Sequence, residues 1–458
     1  MPLVDPTDPR PVHFVGIAGA GMSALAELLH RRGVAVTGCD QRPENAPDLA
    51  ALGIPMATGH DPAHIVGHRA VVVSSAVPKE HPELQAARAA GIPVVRRAEA
   101  LAEATGGGRL VGIAGTHGKT TTTVMTTEAL ASAGYDPTGV VGGRVGAWSG
   151  NLRRGASDVF VVEADEYDRS FLALTPQVAV VTNLEADHLD IYRDLADVRA
   201  AFEQYVAPAR YLVYCADDAG ANALPSLPTA EVVRYGLQSP DARLTAESVR
   251  HDAAGVHFAV RYDGTRRGEV TLRVPGEHNI RNALAALAVG LLWGSTVEAM
   301  APGLAAFGGV ERRFQRMGEA GGVSVVDDYA HHPTEVRATV AAARAAYPGR
   351  RLVLAFQPHL YSRTRDFADD FAAALAEADA VFLTALYPAR EAPIAGVSSA
   401  LIEAPLRAAS DVLAWTGPRE EAAAALAAFV GAGDVVLTVG AGDITHTAPE
   451  LLARLGGT

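Results

Sequence analysis

Apolar runs of strand length alternate with stretches of helical spacing along most of this chain, and two of the junctions repeat one pattern. Val15-Gly16-Ile17-Ala18-Gly19 ends one apolar run, and Val111-Gly112-Ile113-Ala114-Gly115 ends another. A strand stopping at glycines and followed by a helix is the local signature of an anion-binding turn, because the first N–H groups of the helix have no intrahelical partner. After the first turn the spacing predicts a helix from Met22 to Arg32, a strand from Val34 to Asp40, and further strands over Ala70 to Ser74 and Ile92 to Val95. Thr105-Gly106-Gly107-Gly108 reads as a linker.

After the second turn, the short apolar runs Asp158 to Val162, Val178 to Thr182 and Tyr211 to Cys215 predict buried parallel strands. Between Glu231 and Val274 the pattern changes to alternation, which predicts an antiparallel patch at the edge of that sheet. Strand and helix alternate again over Val323 to Val326, Arg351 to Phe356, Ala380 to Thr384 and Asp434 to Val439. The fold class expected is α/β in three domains, residues 1–106, 107–317 and 318–458. The first is Rossmann-like, the second has a mainly parallel sheet and a P-loop-type turn, and the third is again Rossmann-like. Gly318, Gly321 and Gly322 mark the expected hinge between the last two.

Composition sharpens the second turn. The chain holds 39 lysines and arginines, of which only Lys79 and Lys119 are lysine. Lys119 sits in Gly115-Thr116-His117-Gly118-Lys119-Thr120-Thr121, where a phosphate loop uses a compact ammonium that a guanidinium replaces poorly. Thr120 then offers a hydroxyl to Mg2+. The usual first glycine of such a loop is here Ile113, so Gly115 must make the turn.

A net charge of −13 disfavours nucleic acid and anionic membrane surfaces as partners. Cys39 and Cys215 form neither a disulfide framework nor a zinc spacing and are expected to be core thiols. Met1-Pro2-Leu3-Val4-Asp5-Pro6 lacks a basic region followed by an apolar run, so the expected compartment is the cytoplasm.

Polar residues at strand ends carry the candidate chemistry. Glu163-Ala164-Asp165-Glu166 and Asn183-Leu184-Glu185-Ala186-Asp187-His188 follow predicted parallel strands, so Glu163 and His188 are expected to join Thr120 in an O/N site for Mg2+. For Asp165, Glu166 and Asp187 a structural role as caps or loop ion pairs is as well supported as one in that site. Asn279 and Asn282 open a helix expected from Ala283 and suit an adenine edge, although Asn279 also reads as a helix N-cap. Arg312 and Arg313 are candidate phosphate clamps. Asp328, His331 and His332 follow one predicted strand and His359 and Arg363 another; with no third close ligand the histidine pair favours substrate contact over zinc.

The ordered set His13 to Ser23, Gly115 to Thr123, Glu163 to Glu166, Asp187 to Asp190, His278-Asn279, Gly309 to Phe314, Asp327 to Glu335 and Gln357-Pro358-His359 resembles the Mur ligase family over essentially the whole chain. The resemblance implies an ATP- and Mg2+-dependent ligase that phosphorylates the lactyl carboxylate of UDP-N-acetylmuramate and joins L-alanine to it, as a monomer or homodimer. It implies that the first domain binds the UDP-sugar through Gly16, Ala18, Gly19, Gly21, Met22, Ser23, Asp40, His60, Ser74 and Ser75. ATP would be held by Gly115, Thr116, Gly118, Lys119, Thr120, Thr121, Asn279, Asn282, Arg312 and Asp328. The amino acid would meet His331, His359 and Arg363. Glu163 to Asp168 also resembles the relative that attaches a recycled tripeptide to the same sugar nucleotide; Tyr387 to Pro393 and Gln357-Pro358-His359 favour alanine. Phe202 stands where later ligases of the pathway have a carbamylated lysine, which excludes that device.

Overall fold

The computed structural model describes residues 2–224, 231–252, 255–389 and 391–457. Arg390, within the Tyr387 to Pro393 segment, lies outside them. Three sheets are present. The first is parallel and five-stranded, in the order Met56–Thr58, Val36–Asp40, Val12–Val15, Ala70–Val73, Val94–Arg96. Strand order reverses at the central Val12–Val15, and the Gly16 turn and Ser74 follow the two strands flanking that switch point, where α/β sheets bind ligands.

The second sheet has ten strands. Its parallel centre runs Tyr211–Cys215, Val178–Val181, Arg109–Ala114, Val159–Glu163, Thr138–Val145. Leu244–Asp252, Gly255–Tyr262 and Thr265–Leu272 form the antiparallel edge. Thr138–Val145 and Gly150–Arg153 are strands that no element named from the sequence pattern covers. They become strands because Thr138 to Val140 pair with Phe160 to Val162. A Cβ on Gly139 would come within 2.9 Å of both Thr127 and Trp148, so only glycine allows this approach.

These two sheets share one buried cluster that runs from Phe14 and Leu25 through Val140 and Phe160 to Phe202. The helix Ala20–Arg31 connects them, its first turn tied by Asn151 Nδ2 donating to the Ala20 carbonyl at 3.1 Å. The glycines after Thr105 are therefore a turn inside one compact unit of residues 1–273 and 281–308, rather than a spacer between free domains.

The second compact unit comprises residues 274–280 and 309–457 of the described chain. Its sheet runs Gln315–Ala320, Val323–Asp328, Val435–Val439, Leu352–Phe356, Ala380–Thr384, Leu413–Gly417, parallel except for the first strand. The boundary expected at 317/318 falls inside Gln315–Ala320, which pairs antiparallel with Val323–Asp328. Gly321 and Gly322, at φ +58° and +75°, make the tight turn of that hairpin. A hinge at Met317-Gly318 would have to break ladder hydrogen bonds, so these glycines serve the hairpin instead.

Candidate active site

The phosphate-type loop is built by the strand Arg109–Ala114 and the helix Lys119–Ser132. The helix begins at Lys119, earlier than the expected Val124, and its first turns contain four consecutive buried threonines. Threonine hydroxyls that would favour a turn instead bond back along the helix: Thr123 Oγ1 donates to the Lys119 carbonyl at 2.9 Å and Thr127 Oγ1 to the Thr123 carbonyl at 2.7 Å. Gly115 takes φ +138°, and a Cβ there would lie 2.0 Å from Thr182 Oγ1, so the turn tolerates only glycine. Gly118 is left-handed at φ +78°, and a Cβ on it would meet Asn282 Oδ1 at 2.9 Å. Asn282 therefore stands against the loop.

Lys119 Nζ donates to the carbonyls of Gly115 and Thr116 at 2.6 and 3.2 Å and to Glu166 Oε1 at 2.9 Å. Burial alone would depress the ammonium; the carboxylates, Glu166 foremost, outweigh it and hold Lys119 protonated above its ordinary value. Glu166 is itself buried, and its Oε2 has no hydrogen-bond partner among the described residues. By sequence, Glu166 stands evenly between a functional role at the strand end and a structural one as a cap or loop ion pair. Only the fold shows it reaching the loop lysine, and a buried unpaired carboxylate oxygen beside a phosphate loop is an acceptor in search of a cation or donor.

Thr120 Oγ1 donates to Glu163 Oε1 at 2.9 Å, and Glu163 Oε2 accepts from the Gly142 N–H at 2.7 Å. His188 lies to the Glu166 side of this pair. Its Nε2 is 3.7 Å from Glu166 Oε1, its ring packs edge-on against Tyr167 at 5.1 Å, and its φ is +53°. A non-glycine residue held in the left-handed region costs about 1 kcal/mol or more and persists where its surroundings over-determine it. Here the His188 carbonyl accepts the Ile191 and Tyr192 N–H groups at 2.8 and 2.9 Å, fixing the turn. Thr120 and Glu163 present the hard oxygens that Mg2+ prefers, and His188 stands beside Glu166, so the residues present fit the ion.

In the first sheet the N-terminus of the helix Ala20–Arg31 has no side-chain cap at Gly19, and with the Met22 and Ser23 N–H groups on the Gly19 carbonyl, those of Ala20 and Gly21 are left for an anion. Gly16, Gly19, Gly21, Met22 and Ser74 line a cleft of about 280 Å³ together with Arg97, Gly142, Glu163 and Asp165. One cleft thus joins the first glycine turn to the carboxylate beside Thr120. Arg97 was missed in the sequence; a Cβ on Gly21 would lie 3.0 Å from its Nη1, and its Nη2 is 3.8 Å from Asp165. Other expected contacts fall elsewhere. Asp40 accepts from the N–H groups of Ala18 and Arg42 at 3.0 and 2.9 Å, buttressing the turn. Ser23 is buried and its Oγ donates to the Ala20 carbonyl. Ser75 lines a neighbouring cleft with Arg96 and Asp168, and His60 faces Cys39 and Glu83.

Within the second unit, Arg312 donates to the carbonyls of Gly440 and Gly442 at 2.6 and 3.1 Å and stacks on Tyr329. His331 Nδ1 is 3.0 Å from the Tyr329 carbonyl, and the His331 and His359 rings are 6.2 Å apart. His332 caps the helix Pro333–Ala346. Arg363 is buried in the helix Tyr361–Asp366, next to Leu360 at φ +70°. Asn279 Nδ2 donates to the Pro275 carbonyl at 2.7 Å, so Asn279 sits inside the first turn of the helix Glu277–Leu292 and is not its N-cap.

Asp328 is buried and accepts from the N–H groups of Phe314 and Ala330, both at 2.8 Å. Burial pushes its carboxyl from 3.8 up to about 6, against the opposing pull of Arg313 and the two N–H donors. The folded state then holds this proton more tightly than the unfolded chain, so the Asp328 contribution to stability falls as pH rises from about 4 to about 6 and is level above that. Relative to Asp328→Asn, which does not titrate, the wild-type chain should lose on the order of 3 kcal/mol across that window. Urea unfolding of both proteins at a series of pH values measures this; a difference independent of pH would show that Asp328 titrates normally.

Three successive stretches of the chain match models of one family. Residues 11–108 match the Mur ligase family catalytic domain, 113–290 the Mur ligase middle domain and 312–442 the Mur ligase glutamate ligase domain. The chain belongs to the Mur ligase family. Within it, the chain is similar to the UDP-N-acetylmuramate–L-alanine ligase of Salinibacter ruber, with 45% identity across 98% of this chain and 96% of the relative. The enzyme of the same name from Acidothermus cellulolyticus is 47% identical, across 96% and 94%. Among solved structures, the UDP-N-acetylmuramate-alanine ligase of Thermotoga maritima matches with a TM-score of 0.83 at 29% identity, covering 97% of this chain and 98% of that one.

Proposed function

We propose that this chain is an ATP- and Mg2+-dependent ligase that forms an amide between L-alanine and the lactyl carboxylate of UDP-N-acetylmuramate, in the cytoplasmic synthesis of peptidoglycan precursors. The observation that carries this reading is the cleft shared by the Gly16–Met22 turn and Glu163. A sugar nucleotide whose diphosphate lies on the uncapped helix at Gly19 can extend its carboxylate toward the loop where Thr120 and Glu163 meet.

The residues divide the work. The loop N–H groups and Lys119 orient ATP and balance charge on the phosphoryl group as it passes to the carboxylate, a task of positioning that needs no protein nucleophile. Thr120 and Glu163 would hold Mg2+, which would supply further positive charge to the phosphate oxygens. Glu166 keeps Lys119 protonated and in place. ADP leaves, and the L-alanine amine attacks the resulting acyl phosphate, expelling phosphate and forming the amide. Arg363 is the candidate for pairing with the amino-acid carboxylate, and His331 and His359 are those for holding the amino acid or accepting its amine proton. Among the described residues no helix is long and apolar enough to cross a membrane.

The test is phosphate release with each combination of ATP, UDP-N-acetylmuramate and amino donor. Release should require both the sugar nucleotide and L-alanine. Equal release from ATP alone would indicate a plain ATPase, and release that depends on the L-alanyl-D-glutamyl tripeptide but not on L-alanine would assign the recycling reaction.

A further inference from the structure

Outside the cleft, the first sheet carries a second cluster of reactive side chains that the ligase reaction does not use. His13, Cys39, His64 and Glu83 come from four separate segments: the strands Val12–Val15 and Val36–Asp40, the turn Pro62–Ile65, and the first turn of the helix Pro82–Ala89. One ligand atom from each lies within 4.8 Å of every other. His13, Cys39 and Glu83 are buried, Cys39 and Glu83 fully, and His64 is part-buried. We propose that these four residues form a structural site for a borderline divalent cation of the zinc type, pinning together the strands and loops beneath the sugar-nucleotide turn.

The distances suit such an ion. Cys39 Sγ lies 3.1 Å from Glu83 Oε2, and His64 Nδ1 lies 2.8 Å from Glu83 Oε1. Ligand atoms of a tetrahedral zinc site sit about 3.4–3.6 Å apart, given bonds of roughly 2.0–2.3 Å. The set therefore needs only small side-chain adjustments to close on a metal. A mixed thiolate, imidazole and carboxylate set also selects by softness: it suits zinc or cobalt and is poor for Mg2+, so the two metal sites of the chain would not compete.

A metal-free hydrogen-bonded cluster around the Glu83 carboxylate is the alternative. Glu83 does accept from the Asp61 N–H, from His64 and from the Cys39 thiol. Two buried nitrogens argue against this being the whole account. His13 Nε2 and His81 Nδ1 have no hydrogen-bond partner among the described residues, and orphaned buried polar atoms are rare and costly.

His13 is also prepared as a ligand. Its Nδ1 lies 2.9 Å from Thr37 Oγ1, the contact that orients an imidazole and leaves Nε2 with a bare lone pair. Charge also balances. A thiolate and a carboxylate with two neutral imidazoles sum to minus two, which a divalent cation cancels inside the fold, with the Cys39 proton released on binding. His60 Nδ1, 3.1 Å from Cys39 Sγ, is placed to donate to that thiolate.

Zinc and cobalt ions, added separately to the full-length protein in excess Mg2+, test the site. One zinc per chain should remain after gel filtration. Cobalt should give a thiolate-to-cobalt charge-transfer band with the visible bands of tetrahedral geometry. Cys39→Ser should abolish the charge-transfer band, and both Cys39→Ser and His64→Asn should weaken zinc binding by at least the roughly 10–100-fold that loss of a mere ligand-orienting partner costs. Cys215→Ser, on a strand of the other sheet, should change neither. His64→Asn alters a part-buried turn, so it remains informative if Cys39→Ser does not fold. A wild-type chain that retains no zinc, a cobalt spectrum without a thiolate band, or zinc affinity unchanged by His64→Asn would overturn the proposal.

Discussion

Lys119→Arg is expected to lower the turnover of the ligase by about a hundredfold or more, the ~3 kcal/mol of one oriented charge contact, while leaving the fold intact. The ammonium occupies a pocket closed by two loop carbonyls and the Glu166 carboxylate, at 2.6, 3.2 and 2.9 Å. A tetrahedral donor can satisfy all three and exchange one of them for a phosphate oxygen. A planar guanidinium on a longer stem cannot enter without displacing the Gly115 turn, which has no freedom to move because Thr182 stands against it. Arginine still neutralises Glu166 and is a good helix former, so unfolding should be little changed. Steady-state kinetics with all three substrates saturating, beside a thermal melt, measures both. Turnover close to the wild type would remove Lys119 from the mechanism, and collapse of the melt would make its role structural.

Glu163→Gln should raise the Mg2+ concentration needed for half-maximal activity by about tenfold or more and reduce turnover as well, since a metal-held charge contributes several kcal/mol to such transition states. The amide keeps the shape and an oxygen for the Gly142 N–H, but it loses the negative charge beside Thr120. UDP-N-acetylmuramate affinity, read by calorimetry without nucleotide, should stay near the wild-type value because the diphosphate site proposed above is the helix N-terminus at Gly19. His188→Ala should shift the Mg2+ requirement less than Glu163→Gln, because His188 stands beside Glu166. Loss of sugar-nucleotide binding at an unchanged Mg2+ requirement would place Glu163 in the substrate site instead.

Much of the chain is legible residue by residue. Strand ends carry function in parallel sheets, so an apolar run that stops at a charged residue already marks Glu163, and one of only two lysines, placed between Gly118 and a run of threonines, marks Lys119. The failures share a cause. Glu166 and Arg97 have no distinctive spacing, and their meaning arises from partners distant in sequence, Lys119 and the cleft at Gly21. The glycines at 318, 321 and 322 were read as a hinge because local rules cannot separate a mobile joint from a hairpin turn. Strand pairing of Gln315–Ala320 with Val323–Asp328 makes that choice.

By itself the sequence determined the α/β class, the two glycine turns, the loop lysine and threonine, and the family resemblance, because each rests on neighbours a few residues apart, where hydrophobic period and backbone geometry act. Tertiary structure alone decided that the first two sheets share one core. It alone set Glu166 on Lys119, made a single cleft of the first turn and Glu163, and gathered His13, Cys39, His64 and Glu83 into one cluster. Those arrangements depend on which strands lie side by side and which buried groups must find partners. Burial and pairing are properties of the assembled chain, so no local window in the sequence contains them.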